Sequence, residues 1–303
     1  AGTFQASTGQ SSCTNASAGY YVSSNASTSQ TACSAGTYQG NTSQSSCTNA
    51  SAGYYVPSTA ATSQTACAAG TYNPNTASTS SAACTVTDAG YYSSAGSASQ
   101  TACAAGTYQP STGQSSCIDA NIGYYVASSA ATSETACSPG TYQPSTGQTS
   151  CTDASAGYYV PTTAATNQTS CAAGSYQPST GQTSCLDAGA GYYVPATAST
   201  SQTACPVGTY QPSAGQSTCI GASAGYYVPT TAATSQTACA AGTYQASSGQ
   251  TSCDDAGAGY YVSTTAASTQ TPCSNGTYQP STGQTSCIDA NIGYYVASSA
   301  ATS

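Results

Sequence analysis

The chain has 303 residues and a formal net charge of −8, and it contains no Lys, Arg, His, Met or Trp. Because binding to nucleic acids and attraction to anionic membranes both depend on basic side chains, this composition excludes those two partners. Leucine occurs once, at Leu186, so the chain lacks the aliphatic material for a conventional core, and its seventeen cysteines are the alternative source of stability.

Cysteines recur at regular distances from one end of the chain to the other. Successive gaps are 20, 14, 20, 17 and 19 residues, and then 14 and 20 in alternation, so the period is 34 residues with one irregular unit over 67–103. The repeat is rich in Gly, Thr, Ser, Tyr and Pro, which argues against helical repeats of the same period. Without His or a C-x-x-C pair, metal binding is disfavoured, and disulfides in an extracellular compartment are expected.

Each repeat contains a short half and a long half between cysteines, as in "CAAGSYQPSTGQTSC" (171–185) and "CTDASAGYYVPTTAATNQTSC" (151–171). Aligned on the closing cysteine, the long half has three extra residues before its Gly-x-Tyr and three more in its turn. Gly-Thr-Tyr-Gln predicts a strand, Pro-Ser-Thr-Gly a turn with glycine at positive φ, and Gln-Thr-Ser-Cys the returning strand.

These patterns predict an all-β, small disulfide-rich fold. Short hairpins form a tandem array with a 34-residue double repeat, and the array makes an elongated rod. A single continuous array of about nine repeats is expected over 1–303, and both ends cut a module, which predicts a longer protein. An isolated two-stranded hairpin is marginal, so disulfides and stacking on neighbours must stabilise each unit.

Aromatic residues occupy fixed positions of the repeat. All 26 tyrosines and the single Phe fall in Gly-x-Tyr motifs, and the long halves carry Tyr-Tyr pairs. The second tyrosine of a pair is expected inside, against the disulfides, and the first on the opposite face of the strand. The first tyrosines are therefore candidates for contact with a glycan or a second strand of a fibre, or else for packing on the next module: Tyr20, Tyr54, Tyr91, Tyr124, Tyr158, Tyr192, Tyr226, Tyr260 and Tyr294.

At C-x-x-G-x-Y followed by a closing cysteine, the chain resembles ephrin-receptor-like repeats and the first submodule of tumour necrosis factor receptor domains, as found in giant repetitive microbial surface proteins. The resemblance implies that the two bracketing cysteines bond to each other and that Cys13 has its partner before Ala1. Spacing alone also allows the long halves to close, beginning with Cys13–Cys33. The implied pairs are Cys33–Cys47, Cys67–Cys84, Cys103–Cys117, Cys137–Cys151, Cys171–Cys185, Cys205–Cys219, Cys239–Cys253 and Cys273–Cys287.

Acidic residues offer little for catalysis or metal binding. Asp254-Asp255 is the one adjacent pair, and it is interpreted as a turn after the cysteine. A further set recurs two residues after a cysteine and is interpreted as turn caps, because one carboxylate in 34 residues is too few for calcium. No residue supports an enzyme, and no cofactor is expected. The recurring aspartates are Asp119, Asp153, Asp187, Asp255 and Asp289.

Six Asn-x-Ser/Thr sequons indicate N-glycosylation, and runs such as "STAATSQTA" (58–66) suit O-glycosylation. With these features the sequence predicts a structural protein, the shaft of an extracellular fibre or surface appendage whose partners are copies of itself and covalent glycans. The alternative is an adhesion or ligand-binding stalk. No apolar run is long enough to cross a membrane. The candidate glycosylation sites are Asn15, Asn25, Asn41, Asn49, Asn167 and Asn275.

Overall fold

A computed structural model of the chain describes residues 1–303. The fold is all-β: seventeen two-stranded sheets, each an antiparallel hairpin, follow one another, with no α-helix and one 3-10 turn at Ser81–Ala83. The strands, in chain order, are β1 Thr3–Phe4, β2 Thr14–Asn15, β3 Tyr20–Tyr21, β4 Thr31–Ala32, β5 Thr37–Tyr38, β6 Thr48–Asn49, β7 Tyr54–Tyr55, β8 Thr65–Ala66, β9 Thr71–Tyr72, β10 Thr85–Val86, β11 Tyr91–Tyr92, β12 Thr101–Ala102, β13 Thr107–Tyr108, β14 Ile118–Asp119, β15 Tyr124–Tyr125, β16 Thr135–Ala136, β17 Thr141–Tyr142, β18 Thr152–Asp153, β19 Tyr158–Tyr159, β20 Thr169–Ser170, β21 Ser175–Tyr176, β22 Leu186–Asp187, β23 Tyr192–Tyr193, β24 Thr203–Ala204, β25 Thr209–Tyr210, β26 Ile220–Gly221, β27 Tyr226–Tyr227, β28 Thr237–Ala238, β29 Thr243–Tyr244, β30 Asp254–Asp255, β31 Tyr260–Tyr261, β32 Thr271–Pro272, β33 Thr277–Tyr278 and β34 Ile288–Asp289.

The chain divides into two compact units built from the same hairpins. The first comprises Ala1–Ser138, Gln143–Thr152 and Thr163–Thr166, and the second comprises Pro139–Tyr142, Asp153–Thr162 and Asn167–Ser303. The second unit contains the most regular repeats, and its hairpins serve as examples below.

Two kinds of hairpin alternate, which we call Thr-Tyr and Tyr-Tyr hairpins after their first strand. In the Thr-Tyr hairpin 208–222, Tyr210 lies opposite Ile220, and the N–H of Ala222 closes the unit on the carbonyl of Gly208 at 2.9 Å. In the Tyr-Tyr hairpin 225–239, Tyr227 lies opposite Thr237, and Cys239 takes the place of Ala222. Both hairpins therefore span fifteen residues from the glycine to the closing residue.

The expectation of unequal halves is therefore wrong. In Thr-Tyr hairpins the returning strand lies after the cysteine, at Ile220–Gly221, and not in the Gln-Thr-Ser-Cys segment before it. The reason is that the backbone register is set by the glycine carbonyl, which is reached by the third residue after Cys219. Apart from an irregular unit after Gly70, one hairpin follows another every 17 residues, and the alternation of cysteine gaps reflects only where the cysteines sit in it.

Backbone hydrogen bonds link each hairpin to its neighbours. In hairpin 225–239, the N–H of Gly225 donates to the carbonyl of Gln245 at 2.7 Å, and the N–H of Val228 donates to Gln250 at 2.9 Å, both in the next hairpin. The N–H of Gly249 in that next hairpin reaches back to the carbonyl of Ala222, two hairpins earlier, at 2.7 Å. The same bonds recur in both units, so every interior hairpin is held to the neighbours one and two places away.

The glycine of Gly-x-Tyr is required at this contact. Gly225 has φ +83°, and a Cβ placed on it would overlap the carbonyl oxygen of Ala266, which belongs to the hairpin two places further on. A side chain would therefore meet rigid backbone in addition to an unfavourable φ. The glycine is what lets the hairpins stack closely enough for their backbones to bond.

Small side chains fill the interior. The buried positions are the closing residue, as in Ala222 and Cys239, and the third residue after the glycine, which is Val228 in the Tyr-Tyr hairpin and Gln211 in the Thr-Tyr hairpin. The buried amide of Gln211 donates to the carbonyl of Thr218 at 2.8 Å and accepts from the N–H of Ser213 at 3.2 Å. Because the glutamine satisfies its own turn, it can replace an aliphatic side chain there at little cost.

The irregular unit keeps the same ladder of hydrogen bonds. Between Gly70 and its closing residue Thr87 the chain has three additional residues, and the 3-10 turn Ser81–Ala83 lies in this stretch. The N–H of Thr87 still bonds to the carbonyl of Gly70 at 3.0 Å, and the N–H of Gly70 still bonds to Ser93 at 2.9 Å. The insertion is thus absorbed in the turn.

Replacement of Gly191 by alanine tests the close approach. Gly191 has φ +84° and faces the carbonyl of Ala232, so Gly191→Ala should cost more than about 2 kcal/mol in the free energy of unfolding, seen as a lower midpoint in thermal or denaturant unfolding.

Gly189 provides the matched control, because it has ordinary φ and 3.6 Å of space to the nearest side-chain atom. Gly189→Ser should leave the unfolding midpoint within experimental error. Equal effects of the two substitutions would contradict the role given to the Gly-x-Tyr glycine.

Candidate functional site: the clamps between successive hairpins

Eight disulfides join consecutive hairpins. Each links the closing cysteine of a Tyr-Tyr hairpin to the cysteine of the next Thr-Tyr hairpin, as in Cys239–Cys253, with Cα atoms 5.8 Å apart, in the usual range for this bond. The pairing is the one that the resemblance implies, and the competing closure of the long halves does not form. The pairs are Cys33–Cys47, Cys67–Cys84, Cys103–Cys117, Cys137–Cys151, Cys171–Cys185, Cys205–Cys219, Cys239–Cys253 and Cys273–Cys287.

The two cysteines of a bridge have different surroundings. Cys239 is buried as a member of the interior, whereas Cys253 is half-buried at the surface. Cys13 occupies the position of the surface cysteine in its own hairpin, and it is exposed and unpaired. Each bridge therefore anchors a surface turn of one hairpin to the interior of the hairpin before it.

A glutamine clamp occupies the same position wherever the disulfide is missing. Gln236 of the Tyr-Tyr hairpin 225–239 aligns with Cys253 of the next hairpin, and its Oε1 accepts the N–H of Ser223 at 2.7 Å. Ser223 follows the closing residue Ala222, so this bond ties the Tyr-Tyr hairpin to the hairpin before it. The eight clamp residues are Gln30, Gln64, Gln100, Glu134, Gln168, Gln202, Gln236 and Gln270, with acceptor distances of 2.6–2.8 Å.

Covalent and non-covalent clamps therefore alternate at structurally equivalent joints. The disulfide acts mainly by limiting the unfolded chain, by about 3 kcal/mol for a loop of this size in the chain-entropy model. One hydrogen bond contributes only about 1 kcal/mol. Sequence reasoning missed the glutamine clamp, although the signal was present: a Gln or Glu recurs three residues before the closing cysteine in every complete long half.

The tyrosines do not divide into inward and outward sets. Both members of each pair are half-buried, so the expectation that the second tyrosine lies inside is wrong; the small residues of the closing positions fill that space. The candidates Tyr20, Tyr54, Tyr91, Tyr124, Tyr158, Tyr192, Tyr226 and Tyr260 share this half-buried state.

Later hairpins provide the cover for these tyrosines. A Cβ on Gly96 would lie 2.8 Å from the Oη of Tyr54, which shows that this tyrosine packs on the turn two hairpins further on. Tyr294 and Tyr295, which no later hairpin covers, are 79% and 88% exposed.

All six sequon asparagines are exposed. Asn15 and Asn49 lie on returning strands, and Asn25, Asn41, Asn167 and Asn275 lie in turns or connections. Their exposure leaves room for attached glycans.

The aspartates lie on returning strands and not in turns, which corrects both turn interpretations. Asp254–Asp255 form β30, and the recurring Asp119, Asp153, Asp187, Asp255 and Asp289 each end such a strand, because the strand begins directly after the cysteine. A Cβ on Gly215 would lie 3.7 Å from the carboxyl carbon of Asp187, so this carboxylate sits beside the next Thr-Tyr turn. No three His, Cys, Asp or Glu side chains come together in a group that could hold a metal ion.

Comparison with known proteins adds one relationship. The family described as tyrosine-protein kinase ephrin type A/B receptor-like matches residues 90–137 and 191–239. The resemblance to ephrin-receptor-like repeats is thus confirmed. Both matched stretches start at a Gly-Tyr-Tyr glycine and end at a closing cysteine, so each contains one disulfide and one clamp of the other kind. No curated protein matches the chain. The structure contains no helix of the length and apolarity needed to span a membrane.

The equivalence of the two clamps can be tested by converting one into the other. Ala222 and Gln236 occupy the positions of Cys239 and Cys253, with the same separation of 14 residues. The double substitution Ala222→Cys with Gln236→Cys should form a ninth disulfide, detected by mass spectrometry of non-reduced peptides. It should raise the unfolding free energy by about 3 kcal/mol.

Ala222→Cys with Ser235→Cys is the control, because Ser235 precedes the clamp residue and should leave both new thiols free. If the bond between positions 222 and 236 did not form under oxidising conditions, the structural equivalence of the two joints would be contradicted.

Proposed function

We propose that the chain is the repeating shaft of an extracellular fibre or surface appendage and that its role is mechanical. The observation that carries this proposal is the unbroken series of clamps, in which disulfides and glutamines alternate at equivalent joints and each hairpin bonds to hairpins one and two places away. Disulfide-rich repeats that resemble ephrin-receptor-like modules are typical of extracellular or secreted proteins.

The placement of the disulfides suits a chain under tension. A bridge such as Cys239–Cys253 shunts a 14-residue segment, so that segment cannot be extended without breaking a covalent bond. In each 34-residue period only the 20-residue segment between bridges, such as 253–273, is free to extend. That segment holds the Tyr-Tyr hairpin, which the glutamine clamp and the inter-hairpin ladder keep folded.

The surface suits a glycosylated fibre. With no cations and only eight acidic residues, the surface offers little charge repulsion to keep separate copies apart in water. Hydrated glycans on exposed asparagines would supply the missing solubility. We therefore propose that the fibre consists of copies of this chain coated with covalent glycans.

Cryo-electron microscopy of the native, unreduced protein tests this proposal. The expected result is filaments whose density repeats with the 34-residue unit, and extra density on Asn15, Asn25, Asn41, Asn49, Asn167 and Asn275. The exposed Asn121, which is not in a sequon, should carry no such density and serves as the internal control.

Isolated, flexible particles without end-to-end or lateral order would overturn the fibre proposal. Unmodified asparagines at all six positions would overturn the glycan coat while leaving the filament intact, so the two parts of the proposal are separable.

A second candidate function is a ligand-binding or adhesion stalk. It is favoured by one specific observation, a shallow groove of constant composition that recurs on the hairpin surface.

A further inference from the structure

Three shallow grooves with the same lining lie on the surface of the hairpins. The groove at Tyr92 is lined by Tyr92, Thr101, Ala102, Thr107, Ser116 and Cys117, and it encloses about 490 Å³. Equivalent positions line grooves at Tyr21, of about 430 Å³, and at Tyr261, of about 400 Å³. Each groove is formed by the second tyrosine of a Tyr-Tyr hairpin together with the following Thr-Tyr hairpin.

The lining combines one aromatic ring with several hydroxyl groups. Tyr92 and Thr101 are cross-strand partners, and both reach the groove surface. The hydroxyl of Thr107 donates its proton to the carbonyl of Ala104 at 2.8 Å, which leaves the oxygen as an acceptor. Thr101 and Ser116 are exposed. An aromatic face beside hydroxyl donors and acceptors suits a ligand that is apolar on one side and hydroxylated at its edge.

Charge selects a neutral ligand. None of the three linings contains an acidic or basic side chain, and the chain has no cation anywhere. A charged ligand would lose hydration here without gaining a counter-charge. The volume is that of a site for a small molecule or for one part of a polymer.

A peptide ligand fits these grooves less well. Extended peptides gain much of their affinity by hydrogen bonding to free backbone groups of the receptor. Around the groove at Tyr92 those donors are already used, because the N–H groups of Gly90, Ser93 and Cys103 bond to carbonyls of their own or the next hairpin. The polar atoms left for a ligand are those of side-chain hydroxyls.

We propose that these grooves bind a neutral polysaccharide from outside the chain, with one sugar ring in each groove. The apolar face of the ring packs on the second tyrosine, and the sugar hydroxyls bond to the threonine and serine hydroxyls. Because the groove recurs along the array, one polymer can occupy several grooves and gain avidity from weak individual contacts. This activity goes beyond the shaft proposal and does not depend on filament formation.

The test uses the full chain produced without glycosylation in an oxidising bacterial periplasm, after confirmation of its eight disulfides. Cellohexaose, laminarihexaose and mannohexaose are titrated at millimolar concentration and followed by residue-resolved NMR. We expect at least one probe to shift the threonine methyl signals of the grooves, at Thr31, Thr101 and Thr271. Tyr92→Leu should abolish the shift at Thr101 and leave those at Thr31 and Thr271.

Tyr91→Leu is the matched control, because Tyr91 precedes Tyr92 on the same strand and points to the other face; all three shifts should persist. Thr101→Val, which keeps the shape and removes the hydroxyl, should weaken binding at that groove by about tenfold. The absence of shifts with all three probes would overturn the proposal, as would equal loss in Tyr91→Leu and Tyr92→Leu. Shifts caused only by a polyproline peptide would also overturn it. So would binding to native protein only after removal of its own glycans, since those glycans would then be the occupants.

Discussion

The close approach of backbones at the Gly-x-Tyr glycine is the constraint on which the rest of the structure depends. At Gly225 the N–H donates to the next hairpin, and the space where a side chain would stand is filled by the carbonyl of Ala266, two hairpins further on. A single two-stranded hairpin has too little buried surface to be stable. Stacking at this distance converts unstable hairpins into a continuous hydrogen-bonded ladder, with an interior that only Val, Ala, Cys and self-satisfied Gln can fit.

The clamps then distribute strength along the ladder. A disulfide at every joint would require a cysteine at both Ala222 and Gln236, and the chain instead places a glutamine there. The result is a covalent bond at every second joint and a hydrogen bond at the others. The Tyr-Tyr segments between bridges are the parts that can yield, and they also present the grooves for which we propose saccharide binding. Stiffness and binding thus depend on alternate halves of one repeat.

Much of this fold was accessible from the sequence. Cysteine spacing predicted the period, the strand at Thr209–Tyr210 followed from the alternating pattern, and the resemblance implied the pairing of Cys205 with Cys219. The register was not accessible, because matching the cysteines of the two halves hid the fact that Cys219 aligns with Gln236. The same error placed Asp254–Asp255 in a turn. The burial of tyrosines depends on hairpins one and two places away, which no local pattern specifies.

Hydrogen exchange by NMR on the unreduced protein tests the central claim most directly. The amides of Gly225 and Val228 donate between hairpins, whereas that of Cys239 closes its own hairpin on Gly225 at 2.9 Å. Our account predicts that all three exchange slowly and with similar protection, because the ladder opens only when neighbouring hairpins separate. Fast exchange at Gly225 and Val228 beside a protected Cys239 would contradict it, since the hairpins would then be independent units joined only by disulfides.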